Sequence, residues 1–222
     1  MKRSVIIAGG LYLIALVLMF GSIPPGVQRT SIEIKGPDDI PCTGTLWSPG
    51  EAKGVMLLGH GVTSNRGAMA MLAKAFANNG YHSIALDFWG HGQSRVRFDW
   101  ASNRAQLHAW FRWAQEHYPG LPVGYLGHSM GGFSGSQALT DERGVGAFVA
   151  MGALPHRDLP VKTLIAMGKY EELFTPEEAR RRAGENTEVL VSLFSNHMLE
   201  NWDPVLINGM IVWVDKTLGL EA

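Results

Sequence analysis

Ser129 lies in the run Gly127-His128-Ser129-Met130-Gly131-Gly132, with a glycine two residues away on either side. Residues 123–126 before it are apolar, and residues 133–139 after it can form a helix. A nucleophilic serine on a sharp strand-to-helix turn needs this spacing. Its backbone is strained, and side chains at the flanking positions would strike the adjoining strand and helix. A serine hydroxyl is a weak nucleophile until a base takes its proton, so the same site requires an imidazole and an acid to orient it. The chain offers eight histidines: His60, His82, His91, His108, His117, His128, His156 and His197. The single cysteine, Cys42, cannot form an intrachain disulfide and has no companion ligands nearby, so it reads as a buried structural thiol.

Positioning such groups requires alternating strands and helices. β-rich runs fall at residues 31–35, 43–47, 54–59, 82–88, 123–127, 147–151, 163–167 and 188–194, which makes eight strands. Between them, residues 68–78 carry apolar side chains at helical spacing and stop at Gly80. Residues 101–118 place Leu107, Trp110, Phe111 and Ala114 at i, i+3, i+4 and i+7. Those aromatic residues read as core. A last helix over 204–218 has Asp203 as its cap and Gly219 as its stop. Strands alternating with helices give a mostly parallel sheet covered on both faces.

The 222 residues carry a formal charge of −1, so no basic field draws nucleic acid. The N-terminus differs from the remainder. Lys2 and Arg3 precede an apolar run at residues 5–23, which as a helix would reach about 28 Å, near the ~30 Å of a bilayer core. This predicts one transmembrane helix, an uncleaved signal anchor at residues 1–24. A linker at 25–30 and a folded domain at 31–222 follow. Positive charge ahead of the span places the domain outside the cytoplasm. The alternative is a secreted or periplasmic protein freed by signal-peptide cleavage.

With the serine turn in place, the sequence over residues 31–219 resembles the α/β-hydrolase superfamily. Two further segments are similar to family patterns. Leu58-Gly59-His60-Gly61-Val62 matches a His-Gly-x turn after the third strand, where the resemblance implies that the Val62 N–H faces an oxyanion together with the N–H of Met130. Asp87-Phe88-Trp89-Gly90-His91-Gly92-Gln93-Ser94 matches the D-x-x-G-x-G-x-S turn after the fourth strand, which is structural in relatives. The fold imposes the order serine, acid, histidine. His197, in Ser195-Asn196-His197-Met198-Leu199-Glu200 after the last strand, stands where relatives present the catalytic histidine. The other seven lie at packing, turn or surface positions. Relatives place the acid after the seventh strand in a pattern like G-x-x-D. The matching run Gly168-Lys169-Tyr170-Glu171 puts glutamate there, with Glu172 and Asp158 as alternatives.

The resemblance therefore implies a Ser-His-Glu hydrolase of the carboxylesterase kind, acting through an acyl-enzyme on a small-molecule or lipid-like ester. It calls for no metal and no organic cofactor. Residues 152–162 are too few for a lid domain, so the site should be open, walled by loops around 63–67, 90–100 and 154–158. A serine aminopeptidase-like enzyme and a non-catalytic binding protein on the same fold are the competing expectations.

Overall fold

The computed structural model describes Gly10 and residues 24–221. Eight strands form one sheet in the order β1-β2-β4-β3-β5-β6-β7-β8. They are β1 (Gln28–Lys35), β2 (Pro41–Ser48), β3 (Gly54–Gly59), β4 (Tyr81–Leu86), β5 (Val123–His128), β6 (Val145–Met151), β7 (Lys162–Gly168) and β8 (Thr187–Ser192). The pairs β1/β2 and β2/β4 are antiparallel and all others parallel. The helices are α1 (Ala70–Asn78), α2 (Trp100–His117), α3 (Met130–Ala138), α4 (Pro176–Arg182) and α5 (Pro204–Leu218).

Central strands buried on both faces must be apolar along their whole length, and β3 shows how that burial is divided. Val55 and Leu57 join the cluster under α2 and α3, with Leu107, Trp110, Phe111 and Ala138. Met56 and Leu58 point the other way, into the cluster under α1 and α5 with Phe76, Met210 and Val214. Helix α5 begins and ends by local chemistry. The Asp203 carboxylate accepts from the N–H groups of Val205 and Leu206, and Gly219 takes the left-handed conformation at φ 68°.

Several boundaries differ from the sequence expectation. Strand β1 begins at Gln28, because residues 28–30, expected as linker, pair with Ser48, Trp47 and Leu46 of β2. Strand β8 ends at Ser192 rather than Phe194, because its partner β7 ends at Gly168, opposite Ser192. Helix α3 starts at Met130. Its paired glycines have poor helical propensity, but the close packing they permit overrides it. The anchor expected at residues 1–24 lies, but for Gly10 and Pro24, outside the described residues. Among the described residues no helix is long and apolar enough to cross a membrane.

The order β4-β3-β5-β6 places a topological switch between β3 and β5, since the chain leaves β3 toward one side of the sheet and β5 toward the other. In open α/β sheets ligands bind at the carboxyl ends of strands at such a point. The turns bearing Val62 and Ser129 leave the sheet there.

Candidate active site

Ser129 sits between β5 and α3 with φ 51° and ψ −114°, a conformation costly for a residue with a side chain. Surrounding contacts over-determine it. The Ser129 N–H donates to the Met151 carbonyl at 2.9 Å, extending the β5/β6 pairing past the strand end. A Cβ on Gly127 would collide with the backbone of Gly131 and Gly132, and one on Gly131 with the backbone of Gly59, so the turn closes only with glycine at both places. The Tyr125 hydroxyl, fully buried, donates to the Gly131 carbonyl at 2.8 Å and holds the start of α3 against β5.

The register Gly59↔Gly127 brings the turn after β3 beside this elbow. A Cβ on Gly61 would lie 3.3 Å from the Cβ of Ser129. His60 fixes that turn. Its Nε2 accepts from the Phe88 N–H at 3.1 Å, so the proton is on Nδ1, which donates to the Gly61 carbonyl at 2.7 Å. Burial lowers its pKa to about 4, partly opposed by the Gly61 bond, so it stays neutral. Asp87 secures the next residues. Its buried carboxylate accepts from the backbone N–H of Arg66 (2.8 Å) and Gln93 (3.0 Å), and the Arg66 guanidinium lies 3.5 Å away. Met130 opens α3, where first-turn N–H groups have no acceptor inside the helix. Met130 and Val62 line the same cleft as Ser129.

At the other end of the sheet edge, the structure brings Glu171 and His197 together. His197 Nδ1 donates to Glu171 Oε2 at 2.7 Å, and Glu171 Oε1 accepts from the Leu173 N–H at 2.8 Å. The hydrogen bond to Glu171 raises the His197 pKa above its ordinary value, against the opposing effect of burial. Burial pushes the Glu171 carboxyl up, but the His197 and Leu173 bonds outweigh it and hold the group below its usual range. Glu172 does something different. Its exposed carboxylate accepts from the His197 backbone N–H (3.1 Å) and from Asn196 Nδ2 (3.2 Å), bracing the loop rather than the imidazole. Asp158 is exposed, beside Arg157 in a separate surface hollow.

One contact joins the two ends. His128, immediately before Ser129, donates from Nε2 to the His197 carbonyl at 3.0 Å, and the two rings lie 4.8 Å apart. Burial, with the neighbouring His197 second, lowers the His128 pKa to about 4. The sequence alone leaves His128 among the seven histidines at packing, turn or surface positions. Sequence reasoning also missed Glu200, a fully buried carboxyl whose Oε1 accepts from the Gly168 N–H at 2.7 Å. The available signal was charge. Between Arg182 and Lys216 the sequence has no Lys or Arg, so its acidic residues have no basic neighbour along the chain.

Over Ser129 opens a cleft of about 430 Å³. Of the walls expected from the sequence, Trp100 and Leu154 contribute, whereas residues 63–67 do not. Phe133 on α3 and Leu173 and Phe174 after the acid complete it. A larger hollow of about 970 Å³ lies along β1 and α2 and contains none of the candidate residues.

A sequence model described as serine aminopeptidase, S33, matches residues 50–186, more than half the chain. The chain belongs to the serine aminopeptidase S33 family of α/β hydrolases. Within and around this family it is similar to a human (Homo sapiens) monoglyceride lipase, 35% identical over 94 residues, and to a monoacylglycerol lipase of Mycolicibacterium smegmatis, 34% identical over 92. Each stretch covers 39% of this chain, and the matches span 30% and 33% of those lipases. The fold of this S33 member is shared with an esterase of Pyrococcus furiosus, at TM-score 0.74 and 19% identity over 87% of this chain and 94% of the esterase. It is shared equally with a cold-adapted esterase from an Arctic intertidal metagenomic library, at TM-score 0.73 and 19% identity over 89% and 97% of the two chains.

Proposed function

We propose that this protein is a serine hydrolase that cleaves carboxylic esters with an apolar acyl group through an acyl-enzyme. Ser129 is the nucleophile, His197 the general base, and Glu171 the acid that orients the imidazole. The Ser129 hydroxyl attacks the ester carbonyl while His197 Nε2 takes its proton, and the imidazolium then protonates the departing alkoxide. Glu171, already bonded to Nδ1, stabilises the imidazolium without becoming protonated. The N–H groups of Val62 and Met130 stabilise the tetrahedral oxyanion, each contributing on the order of 3 kcal/mol. A water activated by the same imidazole releases the acid.

The observation that carries this reading is the strained elbow of Ser129 on the floor of an apolar cleft. Val62, Trp100, Met130, Phe133, Ala153 and Leu173 line the cleft with the serine, and among the described residues no carboxylate lines it. That composition separates ester from peptide chemistry. An aminopeptidase must bind a free ammonium group, and an apolar site would leave that charge unpaired at high cost. The names of the relatives, lipases and esterases, support the same choice. Turnover of p-nitrophenyl butyrate and of a monoacylglycerol, compared with an aminoacyl p-nitroanilide, tests it. We expect kcat/KM for the esters to exceed that for the anilide by at least about a hundredfold, a gap set by the unpaired charge. A preference for the anilide would assign the aminopeptidase activity instead.

We further propose that residues 1–24 anchor the protein in a membrane with the domain outside the cytoplasm. The length of the apolar run and the charges at Lys2 and Arg3 support this. Protease added outside intact cells should then release the domain; failure to reach it would place the domain inside.

A further inference from the structure

Glu200 is a buried carboxyl group beside the site that the proposed reaction leaves unused. It lies three residues past His197, in the short 3-10 turn Glu200–Trp202, and is fully buried. Its two oxygens differ. Oε1 accepts from the Gly168 N–H, whereas Oε2 meets no donor among the described residues. The nearest cation-forming group across from Oε2 is His128, whose Nε2 is 3.7 Å away and already bonded to the His197 carbonyl. One ring nitrogen each of His128 and His197 and a carboxyl oxygen of Glu200 lie within 4.8 Å of one another, so this carboxyl is close to the imidazole that must move the proton.

A buried carboxylate with an oxygen lacking any donor is expensive, and a carboxylic acid in the same place is not, provided its O–H finds an acceptor. The neighbouring acceptor is the Glu171 carboxylate, which is within side-chain hydrogen-bonding reach of Glu200. We propose that Glu200 is a positioning residue that keeps its own proton and donates it in a hydrogen bond to the ionised Glu171, so that the acid behind His197 is a carboxyl pair rather than a single glutamate. This rests on the assignment of Glu171 and His197 made above. Burial first, and then the charge of Glu171, push the Glu200 group well above the usual carboxylate range, which agrees with its carrying that proton at neutral pH.

The pair gives the site a property a lone glutamate lacks. While Glu200 keeps its proton, its O–H donates to Glu171 and fixes the oxygens that face Nδ1. When Glu200 ionises, two negative charges face each other and Glu171 loses that donor. The groups facing the pair are Glu172 on the acid loop, which adds further negative charge, His128 on β5, neutral in its buried place, and His197 itself. Asp203, three residues on, is turned to the N–H groups of α5. Activity should therefore fall on the alkaline side as Glu200 ionises.

Three forms of the protein test this on a p-nitrophenyl ester: wild type, Glu200→Gln and Glu200→Leu. The amide of Gln can donate to Glu171 but cannot titrate; Leu can do neither. We expect the Leu variant to lose kcat by on the order of tenfold with KM little changed, as for a lost bond to a charged group. The Gln variant should recover most of that loss, and its alkaline fall in kcat/KM should be absent. A Gln variant with the same alkaline fall as wild type would overturn the proposal while leaving the triad assignment intact. Infrared spectra supply a readout that needs no turnover and no folded Leu variant. The carbonyl stretch of a buried protonated carboxylic acid should be present in wild type at neutral pH and gone in Glu200→Gln. Its absence from wild type would also overturn the proposal. A wild type that hydrolyses no ester, yet shows this band, would count against the proposed function alone.

Discussion

Ser129 and the Val62 turn stand on β5 and β3, strands buried along their whole length, whereas Glu171 and His197 stand on β7 and on β8, the half-exposed edge strand. The serine end is made of backbone: a strained residue and glycines whose places no side chain can take. The acid end is made of side chains on loops, Glu171 bonding the imidazole and Glu172 bonding the backbone beneath it. Their histidines differ accordingly. His60 and His128 are buried and held neutral, while His197 is drawn toward its charged form by Glu171. A buried backbone turn is thus joined, through the His128 bond to the His197 carbonyl, to side chains carried on loops.

The largest effect should come from separating the two adjacent acids. Glu171→Gln should lower kcat/KM by on the order of 10³- to 10⁴-fold, because an amide no longer enforces the Nδ1–H tautomer or stabilises the imidazolium. Glu172→Gln, which weakens only a loop brace, should cost less than about tenfold, the size of one surface-exposed hydrogen bond. Steady-state kinetics on one ester decide between them, and a larger loss at Glu172 would exchange their roles. The same measurement carries a pH signature. His197 must be neutral to accept a proton and its pKa is raised, so the acid limb of kcat/KM should fall above pH 6.5 in wild type and move lower in Glu171→Gln.

A smaller effect separates the histidines through stability. For His60 and His128 the folded pKa of about 4 lies below the unfolded 6.5, so the unfolded chain binds more protons between these values. The stability they contribute is complete above pH 6.5 and is lost as pH falls toward 4. For His197 the sign is reversed, with stability present below 6.5 and lost as pH rises through its raised value. Thermal melts from pH 7 to pH 5 should show Tm dropping, by about 2–4 °C for each kcal/mol lost. His60→Asn, which keeps a donor and an acceptor but cannot titrate, should flatten part of that slope. An unchanged slope would mean that His60 is not held neutral.

The same division explains what could be read in advance. All eight strands and the four longer helices follow from apolar runs, helical spacing and caps such as Asp203 and Gly219, because their signals are local. The serine turn was legible for the same reason, its glycines being fixed in spacing by backbone collision. Glu171 and Glu172 could not be told apart, since adjacent residues differ only in which way the loop turns them, and that turn depends on Lys169 and Tyr170 bonding to β8 and the loop after it. Glu200 is not singled out among the acids of its stretch by its local mark, the lack of Lys or Arg between Arg182 and Lys216. Its surroundings come from β5, β7 and the acid loop, all distant in sequence. Phe133, Leu173 and Phe174 entered the cleft in the same way, from elements whose facing is decided by packing.

Covalent labelling tests the central claim most directly. Treated with a fluorophosphonate and digested, the protein should yield one phosphonylated peptide with the adduct on Ser129, labelling should vanish in Ser129→Ala, and its rate should collapse in His197→Ala. An unlabelled wild type, or an adduct on any other residue, would contradict the assignment of Ser129 as the nucleophile of this site.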